Sequence, residues 1–470
     1  MKTNPAPEPS CSMVARAIAY LSAFGRNPAA SMAVIFVFAL VPKVTYIALI
    51  ERDLHSDEQR YLGSAFMLWH HAEYGKFCVP SNRASKGWDF EQADLTAVVT
   101  DPDAKQAGVH HQTDARLPVL YPLFLAPFVG VFGIPPTPAL YAQAAIASAT
   151  ACLAYWLGRR LRGDLAGWLA GLLCASYVPM MRWPGQFMTE TLSVCLMLLA
   201  LLLCDLLFSA RTLKTSCLFA GVAGAAFAFL SLTRPAHFPL VLVPLVICVL
   251  LMWRHPRRAV PVVAVLIGSF VLCYSPWVIR NYVTLGKVVV LLDGVGAPTD
   301  GEFHVEKLLL QGYTFREGRR LAHDWHYSGQ AKYEPLERFS LEFARRCWLR
   351  FRIMLGAHPC LELPFPFAGQ YVPVPWPLRW LNYGWALCMW VFTLMAFLYG
   401  LKKRDIRLLH TIAVPFALLC LYALVSAITR YQTVSYTALS VPAGIGVSVI
   451  FFAVAESVKR RFSPVSPPND

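Results

Sequence analysis

The sequence has few charged residues. Only 15% of its 470 residues are Asp, Glu, Lys or Arg, whereas a soluble domain carries about 25%. Apolar residues make up 56% of the chain, and its mean hydropathy is +0.47. The shortage of charge excludes an ordinary soluble protein. It predicts a polytopic membrane protein whose core is the interior of a helix bundle.

Other features that the sequence lacks narrow the class of membrane protein further. The 13 cysteines contain no CxxC pair, and we interpret most of them as small residues buried in the membrane. The chain has no internal repeat. The polar residues 1–28 are not followed by a short apolar region with a cleavage site. We therefore expect the first apolar run to remain as a membrane anchor.

What the chain has in abundance is apolar runs of about 20 residues, the length that crosses a bilayer. They predict about ten transmembrane helices, near 29–50, 137–158, 164–181, 188–208, 216–233, 236–253, 259–279, 379–400, 408–427 and 436–455.

Clusters of Lys and Arg follow every even-numbered span. Cytoplasmic loops carry an excess of these residues, so both termini are predicted to be cytoplasmic and 51–136 and 280–378 to be external. The net charge of +14 then reflects orientation in the membrane and requires no nucleic acid. The clusters lie at 159–162, 211–214, 254–258, 402–407 and 459–461.

Two apolar stretches fall in the predicted external regions. Residues 116–134 are interrupted by three prolines, and spanning there would move every later basic cluster to the other side. We interpret this stretch as a re-entrant or interfacial helix. Residues 336–355 repeat apolar side chains every four positions with arginines between them, which predicts a basic amphipathic helix at an interface.

Two adjacent acids, Asp57 and Glu58, follow the first span. If this segment is helical from an N-cap at Ser56, Asp57 and Tyr61 share one face and Glu58 points about 100° away. The two acids therefore need not do the same work. A partly desolvated carboxylate can act as a general base. The alternative is that both acids only solvate the helix end.

A further carboxylate, Glu190, stands at the outer mouth of the fourth predicted span. Two acidic sites on one side of the membrane predict a shared pocket, although the helix dipole alone also favours an acid at a helix start. His110 and His111, with Tyr61, are candidates to line this pocket. Imidazole and carboxylate suit a divalent ion, but adjacent histidines do not readily bind the same ion, so no metal ligand is assigned.

Three arginines, Arg234, Arg280 and Arg430, are predicted to lie outside, against the usual orientation of positive charge. A guanidinium binds phosphate through two parallel hydrogen bonds. We therefore expect the three arginines to converge on a phosphate group. The alternative is that they extend to the phosphates of membrane lipids.

The ordered segments "SDEQRY", "AEYGKF", "RLPVLYPLFLAPFVGVFG", "YWLGRRLRG", "MTETL", "FLSLTRPAHFPLVLVP" and "SPWVIRNYVTLGKVV" resemble bacterial GT-C glycosyltransferases of the protein O-mannosyltransferase and lipid A aminoarabinose transferase superfamily. The resemblance covers about residues 30–290. It implies an all-α polytopic membrane fold with interfacial helices in its external loops. It also implies an enzyme that moves a sugar from a polyprenyl phosphate to an acceptor.

The resemblance also implies roles for single residues. Asp57 matches the catalytic base and Glu58 the neighbouring motif acid, while Glu190 stands where many relatives have Asp. Arg234 matches the arginine of the "TRP" segment of the superfamily, and Arg280 matches that of its "PWxxRN" motif. Only some members use a metal, so no ligand set is carried over, and a divalent metal is left open as a cofactor.

The implied partners are the polyprenyl-phosphate sugar, membrane lipids and an acceptor hydroxyl or phosphate on a glycan, lipid or protein. The implied location is the bacterial inner membrane, with the active site facing the periplasm. The chain then divides into a cytoplasmic segment 1–28, a GT-C-like catalytic module 29–290, an external region 291–378, C-terminal helices 379–458 and a cytoplasmic tail 459–470.

Three alternatives remain open from the sequence: a transporter or flippase for a lipid-linked sugar, a non-catalytic relative, and a polymerase or ligase of surface polysaccharide. Candidate acids at helix ends and the absence of two repeated halves argue against transport, in which sites lie near the membrane midplane.

The predicted topology is tested by a reporter fused to the carboxyl terminus. An even number of spans predicts that the reporter is cytoplasmic. A periplasmic reporter would contradict the count and make 116–134 a span.

Overall fold

The computed structural model describes residues 27–49, 54, 56–78, 110–113, 115, 117–177, 179–252, 255–291, 344–345, 347–349, 365–367, 370–372, 376–425 and 429–462. Within them the protein is built almost entirely from α-helices, because a helix pairs its own backbone groups as the lipid interior requires. In chain order the helices are α1 Pro28–Leu49, α2 Ser56–His71, α3 Leu120–Phe132, α4 Thr137–Arg162, α5 Asp164–Ala175, α6 Pro179–Arg182, α7 Glu190–Ser209, α8 Leu213–Thr233, α9 Leu242–Met252, α10 Pro256–Leu285, α11 Trp376–Lys403, α12 Ile406–Val425 and α13 Thr429–Phe462.

Seven of the described helices are long and apolar enough to cross a membrane. Each of the ten predicted spans coincides with a helix, but three coincide with shorter apolar stretches, namely Asp164–Ala175, Pro235–Leu251 and Ile406–Tyr422. The first, α5, ends at Ala175. Pro179, four residues later, has no N–H to donate to the Ala175 carbonyl, and its ring would clash with that carbonyl in a continued helix. The all-α polytopic class is confirmed, with fewer full-length spans than predicted.

Two short antiparallel hairpins accompany the helices and were not predicted. β1 Gly75–Cys78 pairs with β2 His110–Thr113, with Cys78 opposite His110. β3 Phe365–Phe367 pairs with β4 Gln370–Val372.

The two apolar stretches that were predicted to be external differ in how much of them the structure describes. Residues 116–134 contain α3, whose 13 residues extend about 20 Å, less than the ~30 Å of a hydrocarbon core. This length fits the predicted re-entrant or interfacial helix, and α3 packs against α2. The predicted amphipathic helix 336–355 lies outside the described residues, except for the helical residues 344–345 and 347–349.

Charged residues close one end of the bundle. Asp205, near the end of α7, is buried and accepts hydrogen bonds of 2.6 Å from Arg160 of α4 and from Arg407 of α12. These arginines belong to two basic clusters that were predicted to share the cytoplasmic side, and the structure brings them together. Glu190 begins α7 and so lies about 22 Å from Asp205 along the helix axis, toward the opposite end.

Close contact between α8 and α10 requires glycine at Gly224. A Cβ atom added there would overlap the carbonyl oxygen of Leu266, whereas a Cβ added at Gly268, also in α10, would meet nothing within 4 Å. Small residues that let two backbones approach are the usual basis of helix packing in membranes.

We expect Gly224→Ala to lower the stability by about 1–3 kcal/mol, because the two helices must separate. Gly268→Ala is the matched control and leaves stability unchanged or slightly higher. Thermal unfolding of the purified protein measures both. Equal unfolding midpoints for the two variants would contradict this packing.

Candidate functional site

A short segment between α5 and α7 connects the two acids at the start of α2 to the rest of the bundle. After a 3-10 turn at Trp183–Gly185, the backbone amide of Phe187 donates a 2.8 Å hydrogen bond to the Glu58 carboxylate. The Glu58 side chain and the Phe187 ring are both fully buried. The amino end of α2 is therefore held directly against the segment that leads into α7.

Gln143 of α4 supports this segment from the other side. Its side-chain amide donates to the carbonyls of Gln186 at 3.0 Å and of Pro184 at 3.3 Å. Its oxygen accepts a 2.9 Å hydrogen bond from the Tyr121 hydroxyl. The Tyr121 ring in turn meets the Tyr61 ring edge to face at 5.1 Å. The predicted pocket residue Tyr61 thus packs beside the network that positions the segment.

Arg234 joins the same region from the end of α8. It stands before a proline, has extended backbone angles and ends the helix. Its Nε donates to the Thr189 hydroxyl at 2.7 Å, and its terminal nitrogen donates to Glu190 at 2.5 Å. Because both partners are buried, the pair is shielded from water and is stronger than a surface ion pair.

Glu190 occupies the first residue of α7, where the helix dipole favours a negative charge. One carboxylate oxygen is paired with Arg234. The other, Oε2, is buried and has no hydrogen-bond partner within the described residues. A buried acceptor of this kind is available to a polar ligand or a water molecule.

Beside Arg234 lies a buried histidine that the sequence analysis did not select. His237 has its Nδ1 3.2 Å from the Leu230 carbonyl and its Nε2 3.2 Å from the hydroxyl of Tyr422 in α12. These contacts join the end of α8 to α12 and hold the turn that carries Arg234.

Asp57 and Glu58 face different surroundings, as the helical spacing predicted. The side chain of Asp57 is 32% exposed and lies 3.9 Å from the exposed Arg60, one turn further along α2. Glu58 is fully buried. Asp57 is therefore accessible to a molecule entering from outside the bundle, whereas Glu58 is enclosed by protein.

Arg280 has a different set of contacts from Arg234. In α10 its guanidinium donates to the Tyr74 carbonyl and, at 3.0 Å, to Asn281. It also approaches the rings of Tyr74 and Trp277. Tyr74 follows the carboxyl end of α2, roughly 20 Å along that helix from Asp57. The convergence of Arg234 and Arg280 on one phosphate group stays a prediction.

Three other predicted site residues are described only in their backbone. Arg430 lies in the first turn of α13, and His110 and His111 lie in β2; their side chains lie outside the described residues. The described residues contain no group of three or more His, Cys, Asp or Glu side chains that could hold a metal ion.

The residues that complete the site are mostly uncharged. These residues contact the predicted acids, Arg234 or the segments that carry them. They are Gln143, Thr189 and His237. Only Gln143 gave a signal in the sequence, as a lone amide in an apolar span, which in membranes commonly marks an interhelical hydrogen bond.

No protein-family model and no curated protein matches the sequence. Solved structures do match. ArnT from Cupriavidus metallidurans in the apo state aligns with a TM-score of 0.52 at 14% identity, over 97% of this chain and 66% of that one. The apo oligosaccharyltransferase of Archaeoglobus fulgidus aligns with a TM-score of 0.51 at 12% identity, over 93% of this chain and 53% of that one.

The same oligosaccharyltransferase, tethered to an acceptor peptide through a disulfide, aligns with a TM-score of 0.51 at 13% identity, over 91% of this chain and 50% of that one. This chain therefore spans between half and two thirds of the length of these enzymes. The resemblance to GT-C glycosyltransferases predicted from the sequence is confirmed in the fold.

The buried pair of Glu190 and Arg234 allows a stability test. Arg234→Met leaves the Glu190 carboxylate buried and uncompensated, which we expect to cost about 3–5 kcal/mol. The double variant with Glu190→Met removes both charges and should recover most of that loss. Arg60→Gln, at the exposed pair with Asp57, should change stability by less than about 1 kcal/mol.

Thermal unfolding of the purified variants measures all three effects. Additive losses in the double variant would show that Glu190 and Arg234 do not interact.

Proposed function

We propose that this protein is a membrane glycosyltransferase that moves a sugar from a polyprenyl-phosphate donor to an acceptor on the outer face of the membrane. The observation that carries the proposal is the hydrogen bond from Phe187 to Glu58. It joins the acids at the start of α2 to the ion pair of Glu190 and Arg234, within a fold shared with ArnT.

The chemistry requires a base and a cation. A polyprenyl-phosphate sugar already carries its leaving group, so the acceptor oxygen attacks the anomeric carbon while the bond from that carbon to the phosphate oxygen breaks. The acceptor loses its proton to a base, and the phosphate leaves on the lipid with its negative charge. General-base catalysis contributes about 10²–10⁴-fold, and cations stabilise the departing phosphate.

We assign the base to Asp57. Its side chain is 32% exposed and lies 3.9 Å from Arg60, so an acceptor hydroxyl can approach it. Glu58 is buried and engaged by the Phe187 amide, which suits a positioning residue that fixes Asp57 next to the segment 186–190.

Arg234 is the proposed phosphate ligand. Thr189 and Glu190 hold its guanidinium in place, so little ordering is needed when a phosphate binds. Glu190 then acts through Arg234 as a positioning residue. Its second oxygen remains available to a ligand hydroxyl.

A donor that carries a lipid tail is suited to an enzyme in a membrane. Burial of a prenyl tail contributes about 0.8 kcal/mol for each methylene group, which holds the reacting carbon near the outer ends of the helices. The acceptor is a hydroxyl or phosphate of a glycan, lipid or protein. The basic clusters that meet at Asp205 favour a cytoplasmic position for that end of α7. This supports a site that faces the periplasm of a bacterial inner membrane.

The test removes the gene and compares cell-envelope glycans by mass spectrometry. Loss of one glycan, restored by the wild-type gene, identifies the sugar and acceptor class together. Asp57→Asn should fail to restore the glycan while the protein accumulates normally, because the exposed side chain contributes little to folding.

Matched variants separate the two adjacent acids. Glu58→Gln keeps an oxygen that accepts from Phe187 and should restore the glycan at least in part, and Arg60→Gln should restore it fully. A glycan restored to the wild-type level by Asp57→Asn would exclude Asp57 as an essential base. An unchanged envelope in the deletion strain would contradict the transferase itself.

A further inference from the structure

The end of the bundle that contains Asp205 carries positive charge that the proposed chemistry does not use. Arg211 and Lys214 flank the first residue of α8, and Arg257 is the second residue of α10. All three side chains are exposed. Among the described residues, none of the three belongs to an ion pair.

A fourth cation, Arg258, joins the two segments that carry these side chains. Its guanidinium donates to the Ala210 carbonyl at 2.5 Å and to the Ser216 hydroxyl at 2.9 Å. These two acceptors stand on either side of Arg211 and Lys214 in the chain, and the third exposed cation is the residue immediately before Arg258. The starts of α8 and α10 are therefore held together, with their positive side chains in one place. We call these four residues the α8–α10 cation cluster.

The surrounding sequence supplies no acid to offset this charge. It has no Asp or Glu between Asp205 and Asp293, and the first turns of α8 and α10 contain none. Asp205 itself is buried and already accepts from Arg160 and Arg407. Like charges that are held together repel one another, and the positive ends of two helix dipoles add to the same potential. The α8–α10 cation cluster therefore favours an anion from outside the protein.

Two ordinary roles account for part of this arrangement. Basic residues in loops orient a membrane protein, and Arg258 bonds a carbonyl at the carboxyl end of α7, where a cation is favoured. Neither role requires that three exposed cations from two separate segments be gathered at one position.

An exposed apolar face of α8 continues directly from the α8–α10 cation cluster. Lys214, Leu218 and Val222 recur every four residues, so they lie on one face of the helix, and both apolar side chains are exposed. Val265 of α10 is also exposed and borders this face, since a Cβ atom added at Gly221 would lie 3.4 Å from its Cγ1. A cation beside an exposed apolar strip matches a phospholipid, in which a phosphate is joined to acyl chains.

We propose that the α8–α10 cation cluster binds the phosphate of an anionic phospholipid. The three exposed cations are the phosphate ligands, and the acyl chains lie along the apolar face of α8. Arginine binds phosphate through two parallel hydrogen bonds, and basic residues at the membrane surface attract anionic lipids. Arg258 is a positioning residue that holds the two segments together. The inference is independent of the proposed transfer reaction, because the cluster lies at the end of α7 opposite Glu190.

Native mass spectrometry of the purified full-length protein with added phosphatidylglycerol tests the proposal. The wild type should bind this anionic lipid about tenfold or more tightly than the zwitterionic phosphatidylcholine. The triple variant Arg211→Gln, Lys214→Gln and Arg257→Gln should bind the two lipids within about twofold of each other, because the ligands of the phosphate are lost. A folded triple variant that kept the wild-type preference would overturn the inference.

The matched control removes the same charge elsewhere at the same end of the bundle. Lys402, Lys403 and Arg404 are exposed between α11 and α12, next to the helix whose Arg407 reaches Asp205. Replacing all three by Gln should keep the preference for phosphatidylglycerol within about threefold of the wild type. Equal losses in the two triple variants would show a general attraction to the charged end and reject a site between α8 and α10.

Water-soluble anions distinguish a lipid site from a site for free phosphate. Glycerol phosphate and inorganic phosphate, at concentrations similar to the lipid, should not displace phosphatidylglycerol, because they lack the acyl chains that contact α8. Displacement by either anion would overturn the assignment to a phospholipid. Thermal unfolding confirms that each variant is folded. Should the triple variant not fold, Arg211→Gln with Lys214→Gln replaces it, and wild-type preference in that double variant would contradict the proposal.

Discussion

The hydrogen bond between the Phe187 amide and the Glu58 carboxylate is the contact on which the arrangement of the site depends. It joins residues 129 positions apart in the chain, and both are fully buried. A buried carboxylate without a hydrogen-bond donor costs several kcal/mol. Moving α2 away from the segment 183–189 would remove the donor that offsets this cost. The position of Asp57, one residue earlier in α2, follows from this contact.

A second constraint comes from the charges at the two ends of α7. Glu190 pairs with Arg234 at one end, and Asp205 pairs with Arg160 and Arg407 at the other. The two groups tie α4, α8 and α12 to the same helix at fixed heights. The apolar contacts between them are not directional, so these polar pairs determine which helices meet at the outer end. A rigid scaffold of this kind can hold a base and a phosphate ligand in place before substrate arrives.

Much of the helical architecture could be predicted from the sequence, because apolar length and basic clusters report directly on the membrane. Helical spacing also anticipated the different surroundings of Asp57 and Glu58. The shortening of α5 and the supporting role of Gln143 could not be predicted. Each depends on which neighbouring helix a side chain faces, and periodicity within one segment carries no such information.

The most direct test of the account is an experimental structure of the full-length protein in lipid nanodiscs by electron cryomicroscopy. The account predicts the Phe187 amide about 2.8 Å from Glu58, with Asp57, Glu190 and Arg234 around one cavity that opens to the periplasmic side. An α2 separated from the segment 183–189, or Asp57 and Glu190 facing opposite sides of the membrane, would contradict it.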